Sequence, residues 1–191
     1  MESLMKEIRS CTVCSSFFVH KPRPVVAASE SAKLLIIGQA PGRKVHESGV
    51  PWDDASGRNL RAWLGIDEEV FYDESKVALV PMGFCYPGSG ESGDLPPRAE
   101  CAPLWHDRLL MKCKNVKITL LIGQYAQKYY LGSAMKENLT KTVFAYREYL
   151  PKYIPLPHPS PRNRIWMKKN EWFEKDLIPN IRTHLRNFFG S

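Results

Sequence analysis

The chain has 191 residues, of which 43% are hydrophobic and 25% are charged, and its formal net charge is +7. This composition is ordinary for a globular protein and excludes a largely disordered chain. No run of about 18 apolar residues is present to form a transmembrane helix. The length suits a single domain over residues 1–191, and the first residues lack the apolar block of a secretory signal, so we expect a cytoplasmic protein.

Positive charge is concentrated towards the end of the chain. Residues 45–100 carry 4 Lys/Arg and 11 Asp/Glu, a net charge of −7, whereas residues 141–191 carry 10 Lys/Arg and 4 Asp/Glu, a net charge of +6. A basic segment and a pI near 9.2 fit a polyanionic partner such as nucleic acid. Many proteins are mildly basic without such a partner, so charge alone does not decide the function.

Four short apolar runs predict buried β-strands, at residues 34–37, 77–80, 118–122 and 153–156. Two of them end directly at Gly38 and Gly123, and helical stretches separate them along the chain. This pattern is typical of parallel strands that are covered on both faces. We therefore predict an α/β fold, a three-layer α/β/α sandwich with a central four-stranded parallel sheet.

Apolar periodicity predicts four helices between and after these strands. They cover residues 56–64, 98–113 and 124–131, followed by a long basic helix from Trp166 onward that Pro179 kinks or divides. Residues 86–97 are rich in proline and glycine and predict an exposed loop.

Two polar segments directly follow predicted strands. Residues 38–42 (GQAPG) follow the first strand, and residues 157–161 (PHPSP) follow the fourth. Ligands bind beyond the carboxyl ends of parallel strands, so both segments are candidate sites. Glycine lets backbone N–H groups approach a ligand, and the prolines hold His158 and Ser160 on a rigid, extended backbone. Each segment also has a structural interpretation, as a turn and as an ordinary hydrogen-bonded histidine.

An aromatic residue and two carboxylates lie between these segments. Trp52 is suited to stacking a base, and Asp53 or Asp54 to orienting a water molecule. The alternative is that Trp52 fills the core and that the two aspartates precede the next helix, whose N-terminus favours negative charge.

The chain has five cysteines: Cys11, Cys14, Cys85, Cys101 and Cys113. An odd number of cysteines without an export signal argues against a disulfide framework. Metal or cluster ligation, catalysis and simple burial remain open.

Taken in this order, the segments resemble the uracil-DNA glycosylase superfamily. GQAPG looks like its first motif, and LPHPSPRN, at residues 156–163, looks like its second. GVPWDDASGRNL, at residues 49–60, resembles a stretch of the bacterial and archaeal iron–sulfur branch, known as family 4. The likeness extends over residues 8–190.

The resemblance implies a [4Fe–4S] cluster held by Cys11, Cys14, Cys85 and Cys101. Four thiolates also suit zinc, although a usual zinc site more often has two Cys-x-x-Cys pairs. Four unligated buried cysteines are the remaining alternative. Cys113 is left over, and we expect it to be buried.

The resemblance also implies a DNA repair enzyme that flips a damaged nucleotide out of single-stranded or mispaired DNA. We expect it to act as a monomer, away from membranes. His158 would donate a hydrogen bond to the leaving uracil, and Gln39 would position water. The implied substrate-binding residues are Gly38, Gln39, Ala40, Pro41, Gly42, Trp52 and His158. The implied DNA-binding residues are Ser160, Arg162 and Arg164.

Three positions depart from the pattern of the family. Ala40 stands where its best catalysts have Asp or Asn, Gln39 stands where the branch often has Glu, and Pro81 stands where Asn reads the uracil edge. Proline has no side-chain donor, and the loss of one such pair costs ~1–3 kcal/mol of discrimination. We therefore expect weak or altered excision, or an impaired module that only binds nucleic acid or a base. The candidates to replace the missing carboxylate are His46, Glu47, Asp53 and Asp54.

Overall fold

The structure is a computed structural model that describes residues 1–91 and 93–189. Within this part of the chain no helix is both long enough and apolar enough to cross a membrane. In chain order the helices and strands are α1 (Glu2–Arg9), β1 (Leu34–Ile37), α2 (Arg43–Ser48), α3 (Ala55–Leu64), α4 (Glu68–Tyr72), β2 (Val77–Leu79), β3 (Ser89–Gly90), β4 (Gly93–Asp94), α5 (Cys101–Leu110), β5 (Ile118–Ile122), α6 (Gly123–Leu131), α7 (Leu139–Phe144), β6 (Tyr153–Leu156), α8 (Arg164–Lys169) and α9 (Ile178–Phe189).

The centre of the fold is a parallel sheet in the order β2-β1-β5-β6. Leu34 of β1 pairs with Val77 on one side and with Ile118 on the other, and Thr119 of β5 pairs with Tyr153 of β6. The predicted four-stranded parallel sheet is confirmed. Because all four strands run in the same direction, the segments that follow β1, β2 and β6 emerge at the same edge of the sheet.

Alternate residues of the strands pack into two separate cores, one on each face. Leu34 and Ile36 belong to a core that includes residues of α3 and α9. Leu35 and Ile37 belong to the other core, with residues of α1, α5 and α6. Helices therefore cover both faces, which confirms the three-layer α/β/α sandwich.

The long C-terminal helix differs from its prediction. The chain leaves helical geometry at Asn170, where α8 ends, and not at Pro179. A π-helical turn at Phe173–Leu177 runs directly into α9, whose second residue is Pro179. The proline ring clashes with the carbonyl four residues earlier in an α-helix, and a wider turn directly before it relieves this crowding.

The predicted exposed loop at residues 86–97 contains a small antiparallel hairpin. Ser89 pairs with Asp94 and Gly90 with Gly93, whereas Tyr86 is 3% exposed. The prediction of an exposed loop is therefore only partly right. Gly93 has a φ of +136°, which is a conformation that a residue with a side chain rarely adopts.

The loop before α3 is held in an unusual conformation. Asp54 caps the helix, because its Oδ1 accepts a hydrogen bond from the Gly57 N–H at 2.8 Å. Trp52 has a φ of +59°, which is rare for a bulky side chain and strains the backbone. A Cβ at Gly57 would lie 1.8 Å from the Trp52 carbonyl oxygen, and a Cβ at Gly38 would lie 2.7 Å from Trp52 Cζ2. Two glycines thus make room for Trp52.

A second buried contact supports the end of β2. His106 is fully buried and its Nε2 lies 3.0 Å from the Pro81 carbonyl oxygen. Because a carbonyl only accepts, Nε2 carries the proton, and Nδ1 accepts the hydrogen bond of the Tyr130 hydroxyl. Burial lowers the pKa of His106 to about 4, so the imidazole that holds Pro81 is neutral at neutral pH.

Replacing Gly57 by alanine tests the close approach of α3 to Trp52. Alanine normally stabilises a helix interior by about 1 kcal/mol relative to glycine. Here we expect Gly57→Ala to lower the free energy of unfolding by about 1–3 kcal/mol, because the methyl group overlaps the Trp52 carbonyl. Urea unfolding measures this, with the exposed Arg58→Ala in the same helix as control. A Gly57→Ala protein as stable as wild type would contradict the strained arrangement.

His106 predicts a loss of stability in mild acid. In the unfolded chain His106 has a pKa near 6.5 and is protonated in mild acid, whereas in the folded protein it stays neutral until the pH falls to about 4. Stability therefore falls as the pH drops through this window, by about 2 kcal/mol between about pH 7 and about pH 5. Unfolding in urea at the two pH values measures the change. In His106→Asn this pH dependence should largely disappear, and an unchanged dependence would assign it to other groups.

Candidate active site

A cavity of about 760 Å³ lies beyond the carboxyl ends of β1, β2 and β6. This volume is in the usual range of small-molecule sites. The predicted substrate-binding residues all line it: Gly38, Gln39, Ala40, Pro41, Gly42, Trp52 and His158. The structure therefore brings the first loop, the Trp52 loop and the His158 loop together around one space.

The first loop begins as a continuation of the sheet. The Gly38 carbonyl accepts a hydrogen bond from the Met82 N–H at 2.9 Å, and the Gln39 carbonyl accepts one from the Gly83 N–H at 3.0 Å. These bonds fix the backbone from which the Gln39 side chain projects at the cavity wall. Ala40 adds only a methyl group there, so this loop presents an amide and no carboxylate.

Trp52 and His158 form one wall of the cavity. Their ring centroids are 5.9 Å apart and the ring planes are tilted by 33°. Trp52 is partly buried and also packs against the core that contains α3. Trp52 thus packs against the core, as one interpretation expects, and also lines the cavity, where stacking of a base stays a prediction.

Two asparagine side chains hold the His158 segment in place. Asn163 Nδ2 donates to the His158 carbonyl at 2.6 Å, and Asn59 Nδ2 of α3 donates to the Pro159 carbonyl at 2.9 Å. These two side-chain donors tie backbone carbonyls of the segment to α3 and to the residue before α8. Neither asparagine was predicted to have a role, although both lie in the segments that carry the resemblance.

The environment of His158 keeps its imidazole neutral. Burial lowers the pKa of His158, and the carboxylates of Asp54 and Asp94 oppose this shift only in part. A neutral imidazole carries one N–H and is a hydrogen-bond donor to an oxygen that becomes negatively charged.

The carboxylates of the cavity come from two separate segments. Asp54 lines the cavity, whereas His46, Glu47 and Asp53 do not. Glu91 and Asp94, both in the β3–β4 hairpin, also line it. Neither was predicted, because only the fold brings the hairpin, in which Asp94 is 40 residues along the chain from Asp54, to the same space.

The predicted DNA-binding residues are separated by the structure. Ser160 and Arg162 line the cavity, and Ser160 Oγ accepts a hydrogen bond from the Arg162 N–H at 3.2 Å. Arg164 begins α8, is exposed and does not line the cavity. All three belong to one segment after β6, with both guanidinium groups open to solvent.

The predicted metal ligands surround a second, smaller cavity of about 20 Å³. Its walls include Cys11, Cys14, Cys85 and Cys101, and all four are free thiols. Burial raises the pKa of Cys85 to about 11 and that of Cys101 to about 12, so neither is a thiolate nucleophile at neutral pH. In residues 1–91 and 93–189, no three His, Cys, Asp or Glu side chains are close enough together to hold one metal ion. Cys113 is buried, as expected, and lies outside this cavity.

Arg98 faces the same small cavity with an unsatisfied donor. Its Nε is buried and has no hydrogen-bond partner within the described residues. The guanidinium carbon lies 3.8 Å from the centroid of the Phe17 ring, and Nη2 donates to Glu100. A buried donor without a partner is costly, so this cavity offers a place for an acceptor atom such as a thiolate or sulfide sulfur.

The comparisons with known proteins agree with this geometry. A type-4 uracil-DNA glycosylase of Sulfurisphaera tokodaii is 23% identical over 168 residues, which cover 84% of this chain and 74% of the relative. This relative confirms the predicted likeness to the family 4-like branch. The model of the uracil DNA glycosylase superfamily matches residues 26–182, which include the cavity-lining loops. The chain belongs to the uracil DNA glycosylase superfamily.

Proposed function

We propose that the protein is a DNA glycosylase that removes uracil or a related deaminated base from single-stranded or mispaired DNA. The observation that carries the proposal is a neutral His158 beside Trp52 in the cavity that the GQAPG loop closes. The superfamily to which the chain belongs and its type-4 relative support the same reaction class.

The cavity supplies what a flipped base requires. Leaving the stack costs the DNA a few kcal/mol, least at a mispaired base, and stacking on Trp52 offsets part of this cost. Backbone N–H groups of the GQAPG loop bind the carbonyl oxygens of the base. Ser160, Arg162 and Arg164 hold the phosphates on either side, which suits the exposed position of the two arginines.

The chemistry that we propose is departure of the base followed by addition of water. The bond between the base and C1′ of the sugar breaks, and its electron pair stays on the base. His158 donates a hydrogen bond to the base oxygen on which negative charge develops. The carboxylate of Asp54 stabilises the positive charge on the sugar, and the amide of Gln39 positions the water that adds to C1′.

A base-binding module without turnover is the second candidate function. Ala40 and Pro81 support it, because both line the cavity and neither has a polar side-chain atom. Contacts that remain equally strong in the bound state and the transition state bind a base without accelerating its release. The two candidates differ in one observable, the formation of an abasic site.

Excision assays with a His158 variant test the proposal. Purified protein is incubated with single-stranded and mispaired oligonucleotides that contain uracil, hypoxanthine or xanthine. We expect abasic product from at least one of them, and a rate about 100- to 1,000-fold lower in His158→Ala, since the donor to the leaving base is lost. His184→Ala is the matched control, because His184 lies in α9 and does not line the cavity. No abasic product from any base at high protein concentration would favour the binding module.

We further propose that Cys11, Cys14, Cys85 and Cys101 hold a [4Fe–4S] cluster with a structural role. Four thiols around one cavity and the unpaired Arg98 Nε support it. A single zinc ion fits less well, because Zn–S bonds of about 2.3 Å require sulfur atoms about 3.8 Å apart, and no three such ligands are gathered for one ion within the described residues. The free space in this cavity is small. Binding of the cluster therefore requires the largely exposed segment with Cys11 and Cys14 to move outward.

Anaerobic purification tests the cluster. We expect an absorbance band at roughly 400 nm with iron and sulfide in equal amounts, because thiolate-to-iron charge transfer accompanies such clusters. Cys85→Ala should lose the band, and Cys113→Ala, which alters a buried cysteine outside the cavity, should retain it. Zinc in place of iron, or loss of the band in both variants, would contradict the assignment.

A further inference from the structure

The β3–β4 hairpin places a carboxylate against the end of the first loop. A Cβ at Gly42 would lie 3.3 Å from Asp94 Oδ2, so the missing side chain at Gly42 leaves space for this oxygen. Asp94 lines the cavity together with Gln39 and His158. Asp94 is exposed at the rim, where bound DNA would cover it.

The surroundings of Asp94 combine partial burial with one cation. Burial raises the pKa of Asp94 and the Asp54 carboxylate raises it further, whereas the Arg162 guanidinium and a hydrogen bond from Ser89 lower it. The net direction is upward. A carboxylate with a raised pKa is a better proton acceptor than an ordinary aspartate.

Asp54 and the exposed Glu91 are the other carboxylates of the cavity, and the situation of Asp54 differs from that of Asp94. Its Oδ1 already accepts the Gly57 N–H at the start of α3, where the helix N-terminus stabilises the charged form. Asp54 is thus held in place by the start of α3 and is suited to stabilise positive charge. Asp94 has no helix to cap, and two carboxylates in different environments commonly divide the roles of stabiliser and base.

We propose that Asp94 is a catalytic residue, the carboxylate that orients the attacking water and accepts its proton. This inference rests on the proposed glycosylase function. When the bond from C1′ to the base breaks, the electron pair leaves with the base. The water oxygen forms the new bond to C1′, and one of its protons passes to Asp94 and from there to solvent or to the released base. Asp94 would therefore supply the water-orienting carboxylate that the first loop, with Gln39 and Ala40, lacks.

Single-turnover excision of the best substrate base tests this role. We expect Asp94→Asn to lower the rate about 100-fold or more, with little change in affinity for an oligonucleotide carrying an uncleavable 2′-fluoro-arabino analogue. The wild-type rate should fall in acid as Asp94 is protonated, at a pH above the usual aspartate value of about 3.9, and Asp94→Asn should lose this dependence. Formate should partly restore the rate of Asp94→Ala, because a small carboxylate fits the vacated space.

Matched variants separate this inference from the proposed function. Asp53→Asn removes the same charge nearby, but Asp53 is exposed and does not line the cavity, so it should excise at the wild-type rate. If the wild-type protein excises the base and Asp94→Asn does so at nearly the same rate with the same pH profile, the role of Asp94 is overturned while the proposed function stands. If replacing Asp54, and not Asp94, removed the acid dependence and made the rate rescuable by formate, the role of Asp94 would likewise be overturned. A wild-type protein without any excision would overturn the proposed function and this inference with it.

Discussion

The separation between β1 and β6 is the constraint on which the rest of the site depends. The two strands are not neighbours, because β5 lies between them. Adjacent strands are about 4.8 Å apart, so the loops after β1 and β6 leave the sheet about 10 Å from each other. This distance leaves room for one planar ring between Gln39 and His158. Every contact that fixes the two loops, from the Gly83 N–H on one side to Asn59 on the other, maintains that opening.

Burial and charge act in opposite directions on His158, and burial prevails. The Asp54 and Asp94 carboxylates would favour an imidazolium, yet the pKa of His158 is lowered. The free energy needed to remove the imidazolium from water exceeds its attraction to these partly solvated carboxylates. A neutral donor suits a developing oxyanion, because it stabilises negative charge without first forming an ion pair with the carboxylates beside it. The same carboxylates remain available for positive charge on the sugar.

The sequence predicted the parts of the fold that depend on local patterns. Apolar runs identified the four strands of the sheet, and glycine and proline marked the loops that line the cavity, since periodicity and turn chemistry are local properties. The β3–β4 hairpin and the contact of His106 with Pro81 were not predicted. The hairpin is local, because Ser89 pairs with Asp94, but its short strands carry no apolar alternation that would reveal them. His106 and Pro81, in contrast, are 25 residues apart and meet only after folding. Asn59 was missed for this second reason, since it lies 100 residues from Pro159, whereas Asn163 is only 5 residues from His158 and no local pattern marks its hydrogen bond.

The acidic and the basic parts of the chain both contribute residues to the cavity. Asp54 and Asp94 come from the acidic part, residues 45–100, while His158 and Arg162 come from the basic part, residues 141–191. The fold brings the two parts together so that guanidinium groups face solvent, where DNA phosphates would lie, while Asp54 and Asp94 line the cavity, Asp94 at its exposed rim. Long-range attraction to DNA then depends on the basic part. The acidic residues act only at short range, where solvent is partly excluded and a charge acts more strongly. Opposite net charges in the two parts are therefore compatible with one polyanionic partner, because they act at different distances from the reacting bond.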